Sequence, residues 1–140
     1  MKIYLIGSLR NPKIVDIANI LTEAGFDTFA DWAAAGEAAD NSWRDYSKAR
    51  GWNYKQALQS HAAQHIFAFD KKHLMAADVA ILAMPAGKSA HLELGFHLGL
   101  GKRGYILFDE EPERFDVMTN FATDIFFSVE ALIAELRRKI

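Results

Sequence analysis

The segment that most constrains this chain is Asp78 to Met84, DVAILAM, a near-continuous apolar run of strand length. A strand apolar on both faces belongs at the centre of a parallel sheet, where helices cover it on each side. The segments around it agree. Lys2 to Ile6 (KIYLI) reads as another buried strand, followed by the polar turn Gly7-Ser8-Leu9-Arg10. Asn11 is placed to cap a helix whose first position is Pro12, where the missing N–H costs nothing. Ile14, Ile17, Ala18, Leu21 and Ala24 then recur at the spacing of an apolar helix face, until Gly25 ends the run. Phe26 to Asp31 is a short strand, so the chain opens with a β-α-β unit.

Beyond it, a helical pattern runs from Asn53 through Ala57, Leu58, Ala62 and Ile66 to about Phe69, and Asp70 to Ala76 is expected as a short further helix. Pro85-Ala86-Gly87-Lys88 leaves the central strand, and Ser89 is placed to cap a helix carrying Leu92, Leu94, Phe96 and Leu98. Gly99, Gly101 and Gly104 separate that helix from a strand at Tyr105 to Phe108, after which Asp109-Glu110-Glu111-Pro112 makes an acidic turn. Asp124 to Phe127 is expected as a short fifth strand. Ser128 caps a final helix whose closing Arg137, Arg138 and Lys139 complement its dipole. The sum is an α/β, flavodoxin-like (Rossmann-like) fold: one domain over residues 1–140, with a parallel sheet of about five strands flanked by helices. Residues 32–53 interrupt the pattern and hold all three tryptophans, Trp32, Trp43 and Trp52, together with Tyr46. They form either a loop pinned by aromatic anchors or a lid whose rings stack on a planar ligand.

Composition narrows the function. A formal net charge of −2 supplies no positive field for a nucleic-acid polymer, so a small-molecule partner fits better. The absence of cysteine excludes a thiolate nucleophile and a disulfide staple, and it suits a cytoplasmic location. The apolar runs are strand-length, too short to span a membrane. His61 and His65 share a helix face, but the intervening Ala-Ala-Gln supplies no catalytic Glu and no cysteine completes a site. Neither a metal nor another cofactor is expected.

In open parallel sheets ligands bind at the carboxyl ends of the strands. Those ends are Gly7 to Arg10, Asp31-Trp32, Pro85 to Glu93, and Asp109. Glu93 lies in the first turns of a helix, inside the small, apolar stretch Ser89-Ala90-His91-Leu92-Glu93-Leu94-Gly95. The helix dipole would hold its carboxylate ionised; that suits a nucleophile, and equally a residue that only complements the dipole. Asp70 follows Ile66-Phe67-Ala68-Phe69 where the chain is expected to turn, and a second carboxylate beside Glu93 matches the pairs that cleave glycosidic bonds. Asp78 most simply ends the preceding helix. Gly7-Ser8-Leu9-Arg10 offers an anion backbone amides, a hydroxyl and a guanidinium.

Taken together, Ile3-Tyr4-Leu5-Ile6-Gly7-Ser8-Leu9-Arg10, Asp70 followed by Asp78, and Ser89 to Gly95 resemble the nucleoside 2-deoxyribosyltransferase family. The resemblance runs over nearly the whole chain and is most specific at Glu93-Leu94-Gly95. It implies that Glu93 attacks C1 of the deoxyribose, displaces the base and holds the sugar as an ester until a second base or water takes it. It implies that Tyr4 orients this carboxylate and that Asp70 contacts or protonates the departing base. Met118 and Asn120 would close the pocket, from a neighbouring subunit in many members, with Trp32 and Asp78 in the substrate-binding set. Where typical transferases carry a further acidic residue, this chain reads Ala86-Gly87-Lys88-Ser89. The related deoxynucleoside 5′-monophosphate N-glycosidases have a Gly-Ser-Ile-Arg-like turn and a serine-containing loop, to which Gly7-Ser8-Leu9-Arg10 and Gly87-Lys88-Ser89 are similar; that likeness implies phosphate binding. The expected reaction is transfer of 2-deoxyribose between free nucleobases. Hydrolysis of a 5′-monophosphate is the alternative, and a non-catalytic nucleotide-binding module a third reading. One small domain offers only a shallow cleft, so the expected assembly is a homo-oligomer with a shared site, covered by residues 32–53 and a neighbour.

Overall fold

Five short segments pair into one parallel sheet in the order β2-β1-β3-β4-β5: β1 (Lys2–Ile6), β2 (Asp27–Phe29), β3 (Val79–Ala83), β4 (Arg103–Leu107) and β5 (Asp124–Phe126). The computed structural model describes residues 1–139. Every residue of β3 is buried, as its unbroken apolar run requires. Its register sets Tyr4 beside Ala80 and Ala80 beside Gly104. The order turns outward in both directions from the β1/β3 pair, which makes the carboxyl ends of these two strands the switch point where this sheet type holds ligands.

Alternation along β1 divides the core. Ile3 and Leu5 point into one apolar layer with Ile14 and Leu21 of α1 (Ile14–Glu23), while Tyr4 and Ile6 point into the other. The chain continues through α2 (Ala39–Ala49), α3 (Tyr54–Leu58), α4 (His61–Ala76), α5 (Lys88–Gly99) and α6 (Val129–Arg138). Leu132 and Leu136 of α6 complete the first layer. Leu74 of α4 with Ala90 and Leu94 of α5 complete the second. Among the described residues no helix is long and apolar enough to cross a membrane.

Several local expectations need correction. Helix α1 begins at Ile14, two residues beyond Pro12; Asn11 instead closes a turn by accepting the Lys13 N–H at 3.0 Å. Residues 32–53 are not an irregular loop: the 3-10 turn Asp31–Ala35 and α2 run through them. Their rings pack on one another and on α3: Tyr46 on Trp52 at 5.9 Å, Trp43 on Tyr54 at 6.4 Å, with the Arg50 guanidinium 4.8 Å from the Trp52 ring. Asp70 does not sit at a turn, since α4 is continuous through it, capped by the Ser60 hydroxyl accepting from Ala63. Helix α5 starts at Lys88 with Gly87 as its cap residue, so Ser89 lies inside the first turn. Gly104 belongs to β4. It lies beneath α5, and a Cβ there would stand 2.7 Å from Leu94 Cδ1, so a glycine read as a breaker is a point of close approach.

Candidate active site

Tyr4 points up from the middle of β1, Asp70 points in from the middle of α4, and Glu93 projects from the second turn of α5. Tyr4 is fully buried at 1% exposure, whereas Asp70 and Glu93 are half-buried. The three converge on the seam between α4 and α5. The Tyr4 hydroxyl reaches toward the Glu93 carboxylate as a hydrogen-bond donor. Burial, reinforced by the negative charges of Glu93 and Asp70, holds the phenol far above its ordinary range, so it stays a donor.

The electrostatics overturn one expectation. A carboxylate held ionised by the helix dipole should titrate low, yet Glu93 is pushed up from 4.5 to about 7. Burial is the main cause, and the Asp70 charge adds to it; the Tyr4 hydrogen bond pulls the other way. Desolvation outweighs the dipole because Glu93 lies in the second turn, where the effect of the terminal N–H groups has faded. Asp70 is also raised by burial, with His73 opposing. Two adjacent carboxyl groups, both held above their ordinary range by burial, are equipped to attack with one and to give a proton with the other.

Around this centre the loops of the switch point are tied to one another. In the Gly7-Ser8-Leu9-Arg10 turn the Ser8 hydroxyl oxygen accepts the Arg10 N–H at 3.1 Å, so that amide is spent internally and only the remaining groups face outward. A Cβ on Gly7 would collide with Ile14 and touch Trp32 at 3.4 Å, so the turn lies flat against the body. The Asn11 amide donates to the Met84 carbonyl at 3.5 Å and so links the exits of β1 and β3. Trp32 donates its Nε1 hydrogen to the Leu5 carbonyl at 2.7 Å and packs into both apolar layers, which makes it an anchor at the edge of the site. Leu9 is half-buried and Arg10 exposed. Gly87, Lys88 and the neighbouring His91 line a cavity of about 630 Å³ over the first turn of α5, and Ser89 is exposed in that turn.

Three expected site residues lie elsewhere. Asp78 is at the amino end of β3, where its Oδ2 accepts the Lys2 N–H at 2.8 Å; the length of the strand separates it from the carboxyl ends. Met118 and Asn120 sit on a 3-10 turn (Val117–Phe121) between β4 and β5. Met118 lines a cavity of about 1070 Å³ with His91, Gly95 and Leu98, the side of α5 turned away from Glu93. Within one chain, neither residue closes the Glu93 cleft. Phe29 and His73, which no motif in the sequence marks, stack their rings at 4.1 Å and 8°, with Phe29 packed on Tyr4. The Asp70 to His73 spacing is the one hint of them, hidden by the expected helix break at Asp70.

No protein-family model matches the sequence, and no curated protein is significantly similar to it. Solved structures are. A 2-deoxyribosyltransferase from Bacillus psychrosaccharolyticus superposes with a TM-score of 0.64 at 17% identity, over 95% of this chain and 90% of that one. A CMP N-glycosidase from Clostridium botulinum superposes with a TM-score of 0.58 at 14% identity, over 98% of this chain and 99% of that one. From β1 to α6, this chain has the fold on which a 2-deoxyribosyltransferase and a CMP N-glycosidase are built.

Proposed function

We propose that this protein is an enzyme that cleaves the N-glycosidic bond of a 2-deoxyribonucleoside or its 5′-monophosphate, with Glu93 as nucleophile. The observation that carries the reading is the convergence of Tyr4, Asp70 and Glu93 at the switch point of this fold. The Glu93 carboxylate attacks C1 of the sugar. The bond to the base breaks with its electron pair, and the base takes the proton of Asp70. Positive charge that builds on the ring in this step is met by the adjacent carboxylate, which then traps the sugar as an ester. Tyr4 keeps the attacking oxygens oriented. A second nucleobase or a water then attacks C1, returns its proton to Asp70 and frees Glu93. Two displacements retain the configuration at C1.

Transfer to a second base is the main reading. Hydrolysis of a 5′-monophosphate is favoured by one specific feature: Lys88 and Ser89 open α5, and Ser8 and Arg10 follow β1, which suits a phosphate at the helix N-terminus. In either case the ester needs cover. The outer face of α4 and α5 carries exposed apolar side chains, Phe67 at 61%, Leu92 at 76% and Phe96 at 41%. A second copy docking there forms a homo-oligomer and brings its Met118 and Asn120 to the cleft that this chain's own copies do not reach.

The test is a panel of deoxynucleosides and their 5′-monophosphates, each incubated with and without a second free base. Base exchange identifies a transferase. Base released only from monophosphates identifies the hydrolase, and unchanged substrates in every arm remove both. A deoxyribosyl adduct on Glu93 in intact-mass spectra supports the covalent step.

A further inference from the structure

Strand β1 outruns its neighbour on one side. The β1/β2 register ends at Tyr4 and Phe29, and the chain then leaves the sheet for the 3-10 turn Asp31–Ala35. In this ladder the Met1 carbonyl accepts the Asp27 N–H at 3.2 Å, so the odd-numbered carbonyls of β1 face β2, and that of Leu5 is the first to look past its end. A buried carbonyl has to find a donor, and here a side chain supplies it: the Trp32 Nε1 hydrogen, at 2.7 Å. The indole stands in for a missing strand residue. Its ring reaches on to the next turn, because a Cβ on Gly7 would meet Trp32 Cη2 at 3.4 Å and Ile14 Cδ1 closer still. On the β3 side the same turn is tied by Asn11, 7% exposed, whose N–H goes to the Ser8 carbonyl at 3.0 Å and whose side chain donates to the Met84 carbonyl at 3.5 Å. The Gly7–Arg10 turn is therefore pinned from both flanking strands, by Trp32 and by Asn11.

We propose that Trp32 is a positioning residue for substrate binding: by closing the end of β1 with its indole N–H, it sets the height of the Gly7–Arg10 turn and so the place of Ser8 and Arg10 over the switch point. The role rests on the reading of that turn as part of the substrate cleft given above. It moves Trp32 from a ring that stacks on the ligand to a support beneath the ligand's loop. The N–H edge and the outer corner of the indole are both spent on β1, and the half-buried ring packs against both apolar layers. A turn held in its binding shape before the substrate arrives adds no ordering cost to binding. Loosening it weakens affinity and spares the chemistry, because Tyr4 is held separately by the β3 ladder, beside Ala80.

The experiment uses the full chain. Trp32→Phe keeps a ring in the apolar layers and removes the N–H. Benzothienylalanine at position 32 keeps the whole bicyclic shape and exchanges only the N–H for sulfur, so it repeats the test should W32F pack differently. Amide exchange of Arg10 and Asn11, whose N–H groups are bonded inside the turn to the Ser8 hydroxyl and carbonyl, reads the turn by NMR without any substrate. Both amides are expected to exchange about tenfold faster in each variant. On the substrates that the panel identifies, KM should rise about tenfold with kcat within about twofold, the signature of lost uniform binding. Exchange at the wild-type rate in both variants overturns the proposal, and so does faster exchange with KM unchanged or with the loss confined to kcat. If the turn loosens while wild type turns over no nucleoside or nucleotide, the support of the turn by Trp32 stands and the enzymatic reading falls instead.

Discussion

Helix α5 carries two ionisable side chains one turn apart, one buried and one half-buried, and the two ends of the sheet treat them differently. His97, with 0% exposure, lies toward the amino end, among the backbones of Leu74, Asp78 and Arg103. Its nitrogens approach those main-chain groups without forming a well-aligned hydrogen bond, and burial holds the ring neutral. Around it the polar groups are committed to the scaffold: Asp78 accepts the Lys2 N–H, and Lys102 donates to the carbonyls of Met75 and Ala77. Glu93 lies toward the carboxyl end, where Tyr4 and Asp70 stand with no cation bridged to them among the described residues. A neutral imidazole costs little near pH 7. A carboxyl group poised at about 7 is held at its titration point, which is where catalytic acids and bases are tuned. The lesson is that burial alone does not mark a site; uncommitted groups that share a cleft do.

The sharpest way to break this contrast is Glu93→Gln. Removal of the nucleophile should lower turnover by about three orders of magnitude or more and abolish the sugar adduct, with the far-UV spectrum unchanged. Asp70→Asn should cost about 10²-fold in kcat, the usual share of one proton donor. It should also move the acid limb of the pH–rate profile to lower pH, because Asp70 no longer pushes Glu93 up. At the other end, Asp78→Ala should leave kcat/KM within about twofold and cost about 1 kcal/mol of stability or less, because the exposed Lys2 N–H turns to water when its acceptor is removed.

The pH dependence of stability should separate the two ends of α5. Glu93 is raised from 4.5 to about 7, so its contribution is full below pH 4.5 and lost as pH rises through about 7. The shift corresponds to about 3 kcal/mol at most, trimmed by partial exposure. Glu93→Gln should therefore stabilise the fold at pH 8 and change little at pH 4. His97 is depressed below 6.5, so the opposite sign holds: its contribution is present above pH 6.5 and lost as pH falls. His97→Leu should flatten the acid side of the stability curve and leave the pH 8 value nearly unchanged. Denaturant midpoints measured from pH 4 to 8 check both.

Much of this was legible in the residues. The unbroken VAILA run predicted a central buried strand, and β3 is that strand. Ser128 predicted the start of α6, and its hydroxyl accepts from Ala131 at 3.2 Å. Capping was misread where backbone geometry had other uses. Asn11 and Ser89 look like helix caps, but Asn11 bridges two loops and Ser89 lies within a turn. The break placed at Asp70 followed from treating a charge after apolar residues as a surface point, whereas its helix runs on with that charge facing inward. The aromatic cluster of residues 32–53 could not be resolved from composition, because the same rings serve as anchors or as a lid depending on what they pack against.

By itself, the sequence determined the strands, because these follow from local periodicity, and it singled out Glu93 as the candidate nucleophile through the resemblance carried by residues 89–95. Only the tertiary structure decided which charges meet. It set Tyr4, Asp70 and Glu93 together across three elements, sent Asp78 to the far edge of the sheet, and put Met118 beyond α5. It also reversed the expected titration of Glu93. Desolvation depends on everything packed around a group, and no spacing along the chain encodes it.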